Sequence, residues 1–216
     1  MRTLRLNRHG TDGVLITFCG LDGCGKTTMI EKLSAYLRAK GEKVYLTKQP
    51  SELVRRSEIF RAYMDSADHT DHNYRALSLL AASDRVQHCS HTLLPALMRG
   101  ESVISDRYIY SCLANLRARG YTKDKWIYEI SNDIPRPDLA VFLDLPASAA
   151  IERVRSRPEE KDRYIDIALQ YRLREEYLRI CADVGGLLVR ADTDIETAFE
   201  KIIKETDRIY GGKRNE

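Results

Sequence analysis

Gly20-Leu21-Asp22-Gly23-Cys24-Gly25-Lys26-Thr27, with the apolar run Val14-Leu15-Ile16-Thr17-Phe18-Cys19 before it and Thr28 to Lys40 after it, decides the reading of this chain. The apolar run reads as a short buried strand and the later segment as an amphipathic helix, so the glycine-rich octet is the turn between them. In that context the spacing G-x-x-x-x-G-K-[ST] describes a cradle for a polyphosphate. Glycines carry no Cβ, so the backbone can approach an anion closely and take up positive φ. Successive N–H groups then converge on the anion, and the helix N-terminus adds partial positive charge. Lys26 is placed to reach β- and γ-phosphates, and Thr27 to offer its hydroxyl to Mg²⁺. The competing reading is an ordinary strand-to-helix turn that holds Gly-Lys-Thr by chance; the flanking strand and helix argue against it.

Outward from the loop, strand and helix signals alternate along the whole chain. Further strands are predicted at Val44 to Thr47, Ser102 to Ser105, Leu139 to Leu143 and Leu187 to Arg190. Helices are predicted at Glu58 to Met64, Asn73 to Thr92, Tyr110 to Ala118, Lys125 to Asn132, Ala147 to Arg155, Ile165 to Asp183 and Glu196 to Tyr210. Pro95 is expected to open a separate short helix, because its ring suits a first-turn position. Five apolar strands separated by helices predict an α/β fold in three layers, a five-stranded parallel sheet flanked by helices. Ligands of such sheets bind at the carboxyl ends of the strands. The glycine-rich loop, Thr47-Lys48-Gln49-Pro50, Asp106-Arg107 and Asp144 all fall at such ends. Asp144 could equally cap the helix that begins at Ala147.

The chain has 216 residues, 43% of them hydrophobic, which suits one domain with a substantial core. Its 35 basic and 32 acidic residues nearly balance at a net charge of +3, so neither nucleic acid nor a membrane surface is expected as a partner. No apolar run is long enough to span a bilayer. Residues 1–13 are polar and basic, without a hydrophobic signal core, and are expected to be a frayed N-terminal extension to a single domain over residues 14–216. Five cysteines without CxxC spacing read as reduced thiols, and with the missing signal they predict a cytoplasmic location. Cys24 sits in the loop near a helix N-terminus, where a thiol can become reactive; the plainer reading is a small residue filling a tight turn.

Two further groups carry charge. Asp106-Arg107-Tyr108 directly follows a predicted strand. Its carboxylate can hold a metal's water shell opposite Thr27, and its guanidinium can fork onto a second phosphate. A structural salt bridge is the alternative for an Asp-Arg pair. Arg153, Arg155, Arg157 and Arg163 crowd the segment from Glu152 to Tyr164. A charge run is usually a solvated linker. Here, however, Gly23 stands where a loop arginine might, and something must neutralise the charge on a transferring phosphoryl group. A closing arginine-bearing lid at about residues 153–164 is therefore expected.

Four ordered motifs resemble the thymidylate kinase family over about Val14 to Tyr210. They are the loop Gly20 to Thr28, Ala82-Ser83-Asp84-Arg85-Val86-Gln87-His88, Asp106-Arg107-Tyr108-Ile109-Tyr110-Ser111, and Arg136-Pro137-Asp138-Leu139-Ala140-Val141-Phe142-Leu143-Asp144. The resemblance implies the P-loop NTPase fold, a homodimer, ATP and Mg²⁺ as donor and ion, and a pyrimidine monophosphate as acceptor. On the donor side it implies that Gly20, Leu21, Asp22, Gly23, Cys24, Gly25, Lys26, Thr27 and Thr28 bind ATP, with Thr27 and Asp106 at the metal. On the acceptor side it implies Asp22, Pro50, Arg85, Asp106, Arg107, Tyr108, Ser111 and Tyr177, with Asp22 near the sugar, Arg107 on the acceptor phosphate and Arg85 near the pyrimidine O4. It implies catalytic roles for Lys26, Arg107 and the lid arginines Arg153, Arg157 and Arg163.

The departures fall mostly on the acceptor side. Cys19 stands where many members have Glu, Lys48-Gln49-Pro50 where Arg-Glu-Pro is usual, Ala81 at the aromatic that stacks on thymine, and Asn115 at a Tyr or Phe. Base stacking contributes roughly 1–3 kcal/mol, so Ala81 alone could change pyrimidine affinity about tenfold to a hundredfold. Tyr74 or Tyr110 could supply a replacement ring. The expected activity is phosphorylation of a pyrimidine deoxynucleoside monophosphate, dTMP first, with a (d)UMP/(d)CMP kinase as the alternative. A nucleoside kinase leaves Arg107 without a phosphate to hold. A non-catalytic nucleotide-binding module fits poorly with Lys26, Thr27 and Asp106 all present.

Overall fold

Strand β1 (Val14–Cys19) is buried at every position, as a near-continuous apolar strand must be when helices cover both faces of its sheet. In the computed structural model, which describes residues 3–66, 68, 69, 71–161 and 164–213, β1 is the middle of five parallel strands. The order is β2-β3-β1-β4-β5, with β2 (Val44–Lys48), β3 (Ser102–Asp106), β4 (Leu139–Asp144) and β5 (Leu187–Arg190). Phe18 pairs with Asp106, and Lys48 pairs with Asp106 on the other side. The register thus brings the carboxyl ends of β1, β2 and β3 level. The loop after β1, the segment after β2 and Arg107 after β3 emerge side by side for that reason alone.

Right-handed crossovers assign the helices to two layers. Helix α1 (Lys26–Ala39), which carries β1 to β2, shares one face with the C-terminal helix Ile195–Lys213, and the two pack on each other. The other face carries two short helices, α2 (Glu52–Arg55) and α3 (Glu58–Asp65), and the long α4 (Tyr74–His88). A π-helical turn, Cys89–Leu93, leads from α4 straight into α5 (Leu94–Met98). Next come α6 (Ile109–Ala118), α7 (Trp126–Glu129), α8 (Ala147–Arg155) and α9 (Ile167–Val184), so the C-terminal helix is α10. Helix α6 packs against both α4 and α9. The core lies between these layers; Leu15, Ile16, Phe18, Leu33, Ile104 and Phe142 are all essentially sealed from solvent.

Three boundaries differ from the sequence reading. Pro95 does sit in the first turn of a short helix, α5, as its ring suits, but that helix is not set apart: the wider π turn ahead of it joins it to α4 without a break. The region predicted as one helix from Lys125 to Asn132 is α7 followed by a 3₁₀ turn, Ile130–Asp133. The polar stretch after Pro50 contains α2, whose four residues are too few to show a period.

Asp144 neither caps α8 nor reaches a ligand site. Its two oxygens accept the Arg174 fork at 2.7 and 3.0 Å, which ties β4 to α9. Where it is described, the leading segment does not hang free. The Arg5 amide donates to Ser131 Oγ at 2.9 Å, the Asn7 amide to the Ile134 carbonyl at 3.2 Å, and His9 Nε2 meets Asp138 Oδ2 at 2.9 Å. Asp138 also accepts the Leu15 amide at 2.8 Å. Burial would raise its pKa, but the bonds from His9 and Leu15 hold the carboxyl below its usual range. All five cysteines are free and buried, and no helix among the described residues is long and apolar enough to cross a membrane.

Candidate active site

The loop after β1 bends through positive φ at Gly20 (143°), Gly23 (84°) and Gly25 (93°). Gly23 is fixed by space as well as by angle. A Cβ there would stand 2.4 Å from the Ala150 carbonyl oxygen of α8, so no side chain, arginine least of all, can occupy this position without moving α8. Lys26 opens α1 and folds back over the loop, only 7% exposed, its Nζ donating to the carbonyls of Gly20 at 3.2 Å and Leu21 at 2.8 Å. Cys24 packs beneath the turn with 1% exposure, which favours the space-filling reading of its thiol. Thr27 and Thr28 are exposed at the start of α1.

The loop is one wall of a cleft of about 410 Å³ that reaches past β3 to α4 and α6 and is also lined by Arg157, Glu160, Tyr164, Asp166 and Leu169. At its centre stands Arg107. The backbone there has φ 69°, rare for a residue with a side chain, and is held by its amide donating to the Phe18 carbonyl at 2.8 Å and its carbonyl accepting from Ser105 Oγ at 2.7 Å. The guanidinium donates to Asp22 Oδ1 and, at 3.1 Å, to the Tyr177 hydroxyl. Tyr177 donates in turn to Ser111 Oγ at 3.1 Å. Four predicted residues, Asp22, Arg107, Ser111 and Tyr177, are therefore one hydrogen-bonded unit. Burial alone would weaken the Arg107 cation, but Asp22, Tyr177, Asp106 and Cys19 around it keep its pKa well above the usual value. Beneath it, burial pushes the Cys19 thiol up to about 11, a neutral filler near Ser111.

Asp106 is the nearest carboxylate to this unit on β3. Lys48 Nζ lies 3.3 Å from its Oδ2, while Oδ1 is buried with no hydrogen-bond partner. A buried anionic oxygen without a partner is costly, and a hydrated cation held between it and the Thr27 hydroxyl would remove that cost. No group of three or more metal-ligating side chains occurs among the described residues, so an ion here takes most of its ligands from phosphate and water, as Mg²⁺ commonly does.

Deeper in the cleft, Arg85 is almost fully buried and donates to the Ala81 carbonyl at 2.8 Å, with its Nε unpaired. Pro50 and Ala81 line the same space. Tyr108 does not: it is sealed in the core, its hydroxyl donating to the Pro135 carbonyl at 2.7 Å, because the turn that aims Arg107 at the cleft aims the next residue away from it. Tyr110 is likewise a core residue against Phe142, so of the two candidate rings it is Tyr74 that lines the cleft, beside Phe60, Tyr63 and Tyr164.

In the charged segment, Arg157 lines the cleft, 3.7 Å from Glu160. Arg153 turns outward, its nearest partner the Ala191 carbonyl at 3.5 Å. Arg163 lies outside the described residues. Sequence reading missed Arg55 and Arg119, both in the cleft wall. Arg55 Nε donates to the Pro50 carbonyl at 2.8 Å, and its cation is held below its usual pKa by burial first and by Arg107 next. Arg55 and Arg107 thus set two guanidinium groups near one another in the cleft wall. No periodicity separates Arg55 from solvated neighbours such as Arg56.

The thymidylate kinase family model matches residues 18–202. A probable thymidylate kinase of Pyrococcus horikoshii is 38% identical over 199 residues, covering 88% of this chain and 94% of its own length. A probable thymidylate kinase of Pyrococcus abyssi is 34% identical over 197 residues, with the same two shares of 88% and 94%. A thymidylate kinase of a Geobacillus species is 34% identical over 208 residues, 92% of this chain and 99% of its own.

Proposed function

We infer the reaction from one premise, that this chain belongs to the thymidylate kinase family: it moves the γ-phosphoryl group of ATP to dTMP. The observation that carries this reading is one cleft that holds a glycine-rich cradle with Lys26 and, beside it at the centre, Arg107 with Arg55 nearby: cationic groups for two phosphate tails that must meet. An oxygen of the acceptor phosphate attacks the γ-phosphorus, the bond to the ADP oxygen breaks, and dTDP and ADP leave. The attacking oxygen is already anionic, so no side chain must take its proton. Alignment and charge neutralisation supply the acceleration.

The residue roles form part of the proposal. Residues Gly20 to Thr28 cradle the ATP phosphates, and Lys26 exchanges its two loop carbonyls for phosphate oxygens. Arg107, oriented by Asp22 and Tyr177, holds the acceptor phosphate beside Ser111 and Pro50. Arg85 faces the base. Thr27 and Asp106 hold Mg²⁺, which when bound draws charge from the donor phosphates. Arg157 is the described arginine placed to close over the transferring group; Arg153 needs a rotation to join it.

Release of ADP measured with dTMP, dUMP, dCMP, UMP, CMP and thymidine in parallel tests the reading. Turnover with dTMP and none with thymidine is expected, since thymidine brings no phosphate to Arg107. ATP binding without turnover of any acceptor would sink it. A homodimer belongs to the same proposal, supported by the exposed Leu53 (79%) and Ile59 (55%) on α2 and α3. Light scattering on the purified chain checks this, and a monomer mass would overturn it.

A further inference from the structure

Helix α6 presents Ser111 and Asn115 to the cleft, and Arg119 continues the same row just past its end. At four-residue spacing this row runs ~12 Å along the helix axis, away from the phosphate site at Arg107. At its far end the Arg119 guanidinium lies over the Tyr74 ring, 3.7 Å from the centroid. It donates to Asn115 Oδ1 at 2.6 Å and to the Tyr63 hydroxyl at 2.7 Å. Asn115 is itself fixed, its Nδ2 donating to the Ser111 carbonyl at 2.9 Å. Arg119 is half-buried, and no carboxylate among the described residues pairs with it. A guanidinium has five N–H donors and no acceptor, so donors remain unused on a group held from three sides. The small Ala81 lines the cleft from α4, and Asn115 is what anchors Arg119.

We infer that Arg119 is a specificity-determining residue of the acceptor site, its unused N–H donors directed at a carbonyl of the acceptor's base from a platform made by Tyr74. The inference rests on the reading that a pyrimidine monophosphate fills this cleft with its phosphate at Arg107. Arg85 is a second donor-only group on the α4 side. The position at C4 is a carbonyl in thymine and uracil, an acceptor that both guanidinium groups can share; in cytosine it is an amino group, which sets donor against donor and leaves them unpaired.

Steady-state ADP release with dTMP, dUMP and dCMP, for the native chain, Arg119→Ala and Arg119→Lys, tests this, alongside the ATP dissociation constant. The native chain is expected to favour dTMP and dUMP over dCMP. In Arg119→Ala that preference should fall about tenfold or more, the range of a lost hydrogen bond to a charged group, with ATP binding changed less than twofold. Arg119→Lys keeps the charge but loses the flat fork, so its preference should fall in between. If Arg119 only braces Tyr63 and Tyr74, all three acceptors lose equally and the preference stands, which overturns the inference. Should Arg119→Ala fail to fold, an Arg119→Lys preference equal to the native one overturns it as well. A native chain inactive on all three fails at the underlying reading and takes the inference with it; a selective native chain with equally selective variants sinks the inference alone.

Discussion

Lys26→Ala is expected to remove at least ~10³ of kcat, about 4 kcal/mol of transition-state stabilisation, while the far-ultraviolet spectrum and the melting transition stay close to native. The side chain is nearly buried, yet the groups its ammonium touches are two backbone carbonyls of its own loop and the Cys24 thiol beneath it. Those carbonyls can turn to water when the ammonium is gone, so the fold loses little. The donor phosphates lose their nearest fixed positive charge. The loop geometry itself is set by Gly20, Gly23 and Gly25 and survives the substitution, so ATP should still bind, more weakly. A variant with near-native kcat would contradict the assignment of this loop to the donor.

Arg107→Ala is expected to lower kcat/KM for dTMP by about 10³ or more, with most of the loss in the acceptor's KM and little change in ATP affinity. Three consequences combine. The acceptor phosphate loses its forked partner, Asp22 loses the bond from this guanidinium, and Tyr177 loses the group that fixes its hydroxyl. Arg107→Lys should recover no more than about a tenth of the loss, because an ammonium cannot reach Asp22, Tyr177 and a phosphate from one planar fork. The backbone at φ 69° costs the arginine, the lysine and the alanine alike, so differences among the three report on the guanidinium and not on strain. Equal KM values for dTMP across the series, measured by initial rates at saturating ATP, would remove Arg107 from the acceptor phosphate.

How much of this was legible in the sequence depended on the range of the cause. The donor loop is local: strand, glycines and helix are contiguous, and Gly20 to Thr28 lie where the pattern puts them. The sheet was legible because five apolar runs allow few arrangements. Tyr108 was misassigned because adjacency in a motif does not give side-chain direction, and the positive φ at Arg107 sends its neighbour into the core. Asp144 lay at the expected strand end, but nothing nearby in sequence announces Arg174 as its partner. Arg119 went unread because its environment comes from Tyr63 and Tyr74, on segments 56 and 45 positions earlier in the chain. Such a pocket is a product of packing and carries no signature in any single stretch.

The contact between Gly23 and the Ala150 carbonyl has a mechanical meaning. Helix α8 leads directly into the arginine-bearing segment, and its backbone rests on the turn that embraces the donor. With no side chain between them there is no soft cushion to absorb displacement. Should a bound triphosphate shift this turn, the contact would pass the displacement straight to the root of that segment.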